Sequence, residues 1–369
     1  MIRANRKQPL VPSFELELHG TVVGKDIAGW IVNVTVEDEL DVPGMFAFEL
    51  ASRESERGTF PWTDDTRFQL GMTVQVGFGY GSKTETVLTG EITALEPRFS
   101  SSGPPTLTVR GYDRRHRLNT VRRTRTFVDQ KDSDIVTRIG EEAGLTVHAT
   151  NSKVVHPYVL QAGRTDLDFL IERARRIQFE LVMLDGELFF RPVANAGEEV
   201  LTLSFKDDLL EFEPRLALTP ATRLQILGWD AKAKQPIDAV GELPRNQVAN
   251  STADPAEDKT EGKARRTRSG VTSSSQVIGS RIESSVSMPV ASQAEADQLA
   301  QAHFDAMTLD FIRGDGRCRG CTGVRAGTVI RIDGAGKRFS GLYYVTSAQH
   351  SYTRRDGYVT QFQVRRNAW

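Results

Sequence analysis

The sequence predicts a mainly β protein with α+β parts, in which two related small β-barrels flank a helix–helix–hairpin module. Three observations predict it. Alternation of apolar and polar residues dominates both ends of the chain, helical spacing replaces it in the middle, and the two β regions share a residue pattern.

From Ser13 to Tyr112 the period is two. Phe14, Leu16 and Leu18 alternate with Glu15, Glu17 and His19; Ile31, Val32, Val34 and Val36 follow, then Phe46, Phe48 and Leu50. These runs are short, rich in β-branched and aromatic residues, and closed by Gly, Pro or Asp, as half-buried antiparallel strands are. Past Asp113 the spacing turns helical. Ile135, Ile139 and Ala143 share a face, with Asp132 or Ser133 as start cap and Gly144 as left-handed stop. A second helix is expected to start at Thr165, capped through the amide of Asp168, with Leu167, Leu170, Ile171, Ala174 and Ile177 as its stripe. Asp185-Gly186 between two apolar runs predicts a tight hairpin over Phe179 to Phe190.

After Pro220 a strand is expected over Arg223 to Trp229. From about Gly241 to Ser287 polar residues, Pro and Gly dominate, so little apolar surface is available to offset ordering entropy, and a mobile insertion is expected. Ser292-Gln-Ala-Glu295 is a capping box, and Ala296, Leu299, Ala300, His303, Phe304 and Met307 line the helix behind it. Gly327 to Arg366 alternates again.

The shared pattern runs through three strands. Gly71-Met-Thr-Val-Gln-Val76 matches Gly327-Thr-Val-Ile-Arg-Ile332, Leu88-Thr-Gly90 matches Phe339-Ser-Gly341, and Leu107-Thr-Val-Arg110 matches Phe362-Gln-Val-Arg365. One barrel is thus expected twice, the second copy opening with the strand near Arg223 to Trp229.

Composition excludes several classes. At 39% hydrophobic, 26% charged and 8% aromatic the chain is globular in type, and 47 Lys and Arg nearly cancel 48 Asp and Glu, leaving no global field for nucleic acid or anionic membrane. No apolar run has signal-peptide or bilayer-spanning length, so no membrane insertion is expected. The two cysteines, Cys318 and Cys321, have dithiol or half-zinc-site spacing but lack two further ligands nearby. Gly77-Phe-Gly-Tyr-Gly81 departs from a dinucleotide loop and reads as a strand turn; Gly336-Lys337 lacks the rest of a phosphate loop. The six histidines, His19, His116, His148, His156, His303 and His350, are scattered, and the neighbours Asp64-Asp65 and Asp207-Asp208 make no acid/base pair. No catalytic, cofactor-binding or metal residue is assigned, and no cofactor. The basic run from Arg114 to Arg125 reads as an ion-pair surface rather than a nucleic-acid site.

Five stretches, in order, resemble the late control protein D family of contractile-tailed phages and the hub of VgrG spike proteins. They are Val109-Arg-Gly-Tyr-Asp113; Arg123-Thr-Arg-Thr-Phe127 with Ser133-Asp-Ile135; Thr165-Asp-Leu-Asp-Phe-Leu170 with Asp185-Gly-Glu-Leu-Phe-Phe190; Gly228-Trp-Asp230; and Phe339-Ser-Gly-Leu-Tyr-Tyr-Val345 ending at His350. The resemblance implies a non-enzymatic baseplate hub of a contractile injection system, assembled in the bacterial cytoplasm. It would be a homotrimer whose six tube-like barrels join a hexameric inner tube or tube initiator to a trimeric spike, alongside other baseplate components. Because the chain stops soon after the second barrel, the spike is expected on a separate polypeptide. Residues 1–112 are expected as the first tube-like barrel, 113–205 as the α+β module and 206–240 as the start of the second barrel. The mobile polar insertion is expected at 241–290, a helix at 291–310 and the rest of the second barrel at 311–369. The alternatives are a tail-associated cell-wall hydrolase and a nucleic-acid-binding β module.

Overall fold

The computed structural model describes residues 11–51, 61–195, 197–242, 269–285 and 290–369. The fold is mainly β, organised by one 13-stranded sheet built from two modules. The first module contains β1 (Pro12–Leu18), β2 (Thr21–Val22), the single turn α1 (Lys25–Ala28), β3 (Ile31–Glu39), β4 (Met45–Ala51), β5 (Thr73–Tyr80), β6 (Lys83–Arg98) and β7 (Thr106–Asp113). Its strand order is β3-β4-β7-β6-β5-β1-β2, antiparallel throughout. The alternation read from the sequence is the burial pattern: Leu16, Val34, Val36, Phe46, Phe48, Val74, Val76 and Val109 fill one core.

The middle module packs two helices against short sheets. It runs β8 (Arg122–Lys131), α2 (Asp132–Glu142), β9 (Val147–Ala149), β10 (Val155–Thr165), α3 (Asp166–Arg176), β11 (Phe179–Leu184) and β12 (Glu187–Pro192). Thr165 caps α3 by accepting from the Asp168 amide at 3.1 Å, and Asp185 and Gly186 turn the β11–β12 hairpin with φ of 51° and 84°, as expected from the sequence. The start of α2 differs. Its cap is Lys131, whose amide donates to the Asp134 carboxylate at 3.2 Å, so Asp132 and Ser133 already lie in the first turn.

The second module takes β13 (Glu199–Ser204) and β14 (Leu209–Leu216) from upstream. Next come β15 (Arg223–Asp230), β16 (Gln235–Gly241), α4 (Gly270–Ile278), β17 (Ile282–Ser285) and α5 (Gln293–Leu309). The module then resumes with β18 (Ile312–Arg319), β19 (Val329–Asp333), the single turn α6 (Gly336–Phe339), β20 (Gly341–Thr353) and β21 (Gly357–Arg366). Its order, β14-β18-β21-β20-β19-β13, repeats β3-β4-β7-β6-β5-β1, with one difference of direction: β13 runs parallel to β19, whereas β1 runs antiparallel to β5. Irregularities repeat too. A bulge lies between Ile31 and Asn33 on β3 and between Leu209 and Glu211 on β14; another lies between Ile92 and Ala94 on β6 and between Val345 and Ser347 on β20. Beside the second bulge, Ile92 exchanges hydrogen bonds with Gly71 and Met72 as Val345 does with Gly327 and Thr328.

Three expectations are corrected by this topology. The strand Arg223 to Trp229 does not open the second barrel: β15 pairs with β16 and β17 in a separate sheet under α5, and β13 and β14 supply the missing strands. The sequence match holds for Gly71 and Gly327 but slips by two residues beyond, since Gly90 faces Val74 whereas Gly341 faces Ile332, the counterpart of Val76. Residues 269–285, expected as mobile, instead form α4, capped by Ser269 and tied to the C-terminus through Trp369 and Ser273, and β17, paired with β15. The rest of that stretch, 243–268 and 286–289, and the N-terminal residues 1–10 lie outside the described residues.

The copies fill their cores by opposite means. Phe48 faces Val109 in the first, and the equivalent pair in the second is Gly316 facing Phe362; Phe46 facing Gly111 becomes Gly314 facing Val364. Each large side chain needs the small partner: a Cβ on Gly111 would meet the Phe46 ring at 2.3 Å, and one on Gly316 the Phe362 ring at 2.3 Å.

Candidate assembly interface

A small cavity lined by Asp38, Asp113, Asp185 and Arg325 lies where the modules meet, and further polar side chains gather at the same joints. The modules join by β3 pairing antiparallel with β20, from Asn33–Thr353 to Glu39–Ser347, which makes one continuous sheet. Side chains lock the joint. Gln349 donates to the Glu37 carboxylate at 2.8 Å, the Tyr80 hydroxyl donates to the Gly320 carbonyl at 3.0 Å, and Phe14 packs on Tyr352 with ring centroids 4.9 Å apart. His350, fully buried at this joint, lies against the Phe78 ring and has its nitrogens 2.8 Å from the Tyr358 hydroxyl and 3.0 Å from the Val324 carbonyl. Burial lowers its pKa to about 3, so the ring is neutral.

Where both barrels meet the middle module sits Arg115, 1% exposed. Its guanidinium donates to Asp113 at 2.8 and 3.0 Å, to the Leu40 carbonyl at 3.1 Å and to the Leu181 carbonyl at 3.3 Å, while Asp113 also accepts from the Gly44 amide at 2.6 Å. One charge pair thereby ties three segments, and its donors are matched by oxygens rather than left dry. Asp38 lies beside it, accepting from the Ala326 amide at 3.1 Å; burial raises its pKa against the pull of Arg325 and Arg115. Glu180 of β11, also raised by burial, accepts from the Tyr344 hydroxyl of β20 and from Arg191 at 2.8 Å. Asp132 receives Arg173 at 2.5 Å and His156 at 3.2 Å; burial works to raise it, but these partners hold it below its ordinary value. Arg176 then reaches Glu295 of α5 at 3.0 Å.

The basic run is absorbed by this architecture. Arg114 and Arg117 converge on Glu91, and Arg123 and Arg125 on Asp166, Arg125 at 2.7 Å with a further 2.5 Å contact to Glu142. Arg122 donates to the Gly163 carbonyl at 3.2 Å, and the other arginines of the run face carboxylates of their own chain. Cys318 is fully buried on β18 and Cys321 part-buried in the loop between β18 and β19; burial raises both thiols. Gly77 and Gly79 lie inside β5, not in its turn, which is at Gly81. Lys337 lies in the single turn α6, and Asp65 is tied to Arg67 at 2.6 Å. The histidines are dispersed, with His148 on Glu187 at 2.7 Å, and among the described residues no three His, Cys, Asp or Glu side chains gather to hold a metal. No described helix is long and apolar enough to cross a membrane. Sequence reasoning marked Asp113 and Tyr344 as parts of a resemblance and Glu180 as part of a predicted hairpin, none of them as a functional residue; the burial that gives them work depends on module contacts no local pattern records.

Comparison with known proteins follows the same plan. The Alg8 N-terminal domain family matches residues 9–354, nearly the whole chain. The chain belongs to that family. The name differs from the late control protein D family that the sequence resembles, while the Alg8 N-terminal domain chain shares its fold with phage tail proteins. A 43 kDa tail protein of prophage MuSo2 from Shewanella oneidensis superposes with TM-score 0.69 at 14% identity, over 96% of this chain and 98% of that one. A tail protein from Neisseria meningitidis MC58 gives 0.66 at 12% identity, over 97% of each. An E. coli component of the type VI secretion system, described as similar in structure to the T4 tail proteins gp27 and gp5, gives 0.60 at 13%, over 95% of this chain and 76% of that one. No match is found among curated proteins.

Proposed function

We propose that this chain is a non-catalytic baseplate hub of a contractile, phage tail-like injection machine. In this reading it is a homotrimer that joins a hexameric inner tube to a trimeric spike, assembles in the bacterial cytoplasm and ends in the particle beside other baseplate proteins. The observation that carries it is the duplication. Two modules with the same six-strand order and the same two bulges lie side by side in one sheet, so three chains would present six equivalent modules to a sixfold partner while keeping threefold symmetry for the spike. The shared fold with phage tail and type VI secretion proteins supports the setting. A scaffold role also suits the polar groups, which are engaged in tying modules together. The direct test is averaged electron images of the purified chain, alone and with its tube protein: the hub reading expects threefold rings of six lobes that sit on tube ends.

A further inference from the structure

The hub reading leaves Cys318-Arg-Gly-Cys321 without a role. Cys318 sits on β18 opposite Thr360 of β21, with both side chains buried on the inner face of the sheet. Had β18 run on, Cys321 would fall opposite Gly357, and the period of two would turn its side chain to the outer face. Instead the Cys321 amide donates to the Thr360 hydroxyl at 3.0 Å, so the chain folds back after Gly320 onto the residue that Cys318 faces. A Cβ on Gly320 would stand 2.0 Å from the Tyr358 ring, so only glycine fits at this fold-back. Both cysteines pack on the same apolar cluster, with Ile330, Ala348 and Phe362. They also bear on the same phenol: burial raises Tyr80 to about 12, and Cys321 and Cys318 add to the rise. The loop that follows ties the modules together. The Gly320 carbonyl accepts from Tyr80, Thr322 donates to Glu85, the Ala326 amide donates to Asp38 at 3.1 Å, and Arg325 reaches Asp185 of the middle module at 3.6 Å.

We infer that Cys318 and Cys321 close as an intrachain disulfide that latches this loop to the core of the second barrel, a modification that goes beyond the hub reading and does not depend on it. A disulfide needs Cα atoms about 4.4–6.8 Å apart, an approach that the fold-back supplies and an extended strand would not. The oxidant is a small-molecule disulfide, and Cys321, only part-buried, is the thiol it can reach. The Cys321 thiolate attacks one sulfur of the oxidant and displaces a thiolate; Cys318, as thiolate, then attacks the Cys321 sulfur and displaces the second. One S–S bond forms as one breaks, and the protons of the two protein thiols end on the two small thiols released. Because burial raises both protein thiols, few thiolates form near neutral pH and exchange on the folded chain is slow. The bond is therefore one that a chain acquires while folding or once outside a reducing compartment.

The test forms the bond in the unfolded chain and asks whether the fold accepts it. The full-length chain is oxidised in urea with oxidised glutathione, refolded by dilution and compared with the reduced chain, intact mass confirming the loss of two hydrogens with no glutathione attached. The oxidised chain is expected to unfold at higher urea, because the bond restricts the unfolded chain in a way the native fold already meets. Hydrogen exchange at the Cys321 and Ala326 amides is expected to slow in the same sample. C318S and C321S, treated alike, cannot form the bond and are expected to show neither effect. An oxidised chain that fails to refold, unfolds at no higher urea than the reduced one, or exchanges no more slowly at those amides overturns the inference. Each of these outcomes leaves the hub reading to be decided by the ring images.

Discussion

Arg115 shows how much of the architecture rests on single side chains. Removing it leaves the Asp113 carboxylate buried and the carbonyls of Leu40 and Leu181 without their donor. R115A is expected to cost about 3–5 kcal/mol in urea unfolding, and R115K to recover only part, because an ammonium cannot reproduce the fork. His350 makes a prediction with a sign. Its folded pKa is lowered from 6.5 to about 3, so the unfolded chain binds a proton that the fold rejects between those values. Its contribution to stability is therefore full above about pH 6.5 and falls by up to about 1.4 kcal/mol per pH unit as pH drops toward 3. Asp38 and Glu180, both raised by burial, act in the opposite direction, and Asp132, held low, in the same one. These are common to parent and H350Q, so the difference between the two stability–pH curves isolates the histidine. An H350Q curve as steep as the parent's would refute the assignment.

At the level of strands, the alternation of Phe14, Leu16 and Leu18, the Thr165 cap and the Asp185-Gly186 turn were legible because each depends on neighbours in sequence. The duplication was legible only in outline. Its copies exchange large for small across the same rungs, Phe48–Val109 for Gly316–Phe362, so identity between them is lost while summed volume is kept. That exchange is testable. G316F forces a ring into the space of Phe362 and is expected to lower stability by at least about 1–3 kcal/mol, whereas G316F/F362V, which copies the first module, is expected to regain part of the loss in thermal melts. A double variant no more stable than G316F would deny the equivalence. The strand β15 was misassigned for a related reason: its alternation fits any half-buried strand, and only its partners β16 and β17 reveal a different sheet.

For the whole molecule, the sequence carried the fold class and the order of modules, but not the joint. The β3–β20 pairing brings together residues far apart in sequence, and edge pairing is written in backbone groups that every residue has. The Arg115 and Glu180 networks escaped for the same reason, since Leu181 and Tyr344 reach them from other modules, and the Asp132 network escaped because His156 and Arg173 come to it from separate elements of the middle module. These networks tie the barrels to the middle module, as the proposed hub role would require. The central claim is that two equivalent modules per chain allow three chains to make a pseudo-sixfold ring. Class averages of the purified chain viewed down its axis test it most directly: the account predicts threefold particles with six lobes of alternating, near-identical outline, and particles that are monomeric, or that close with twofold symmetry, would contradict it.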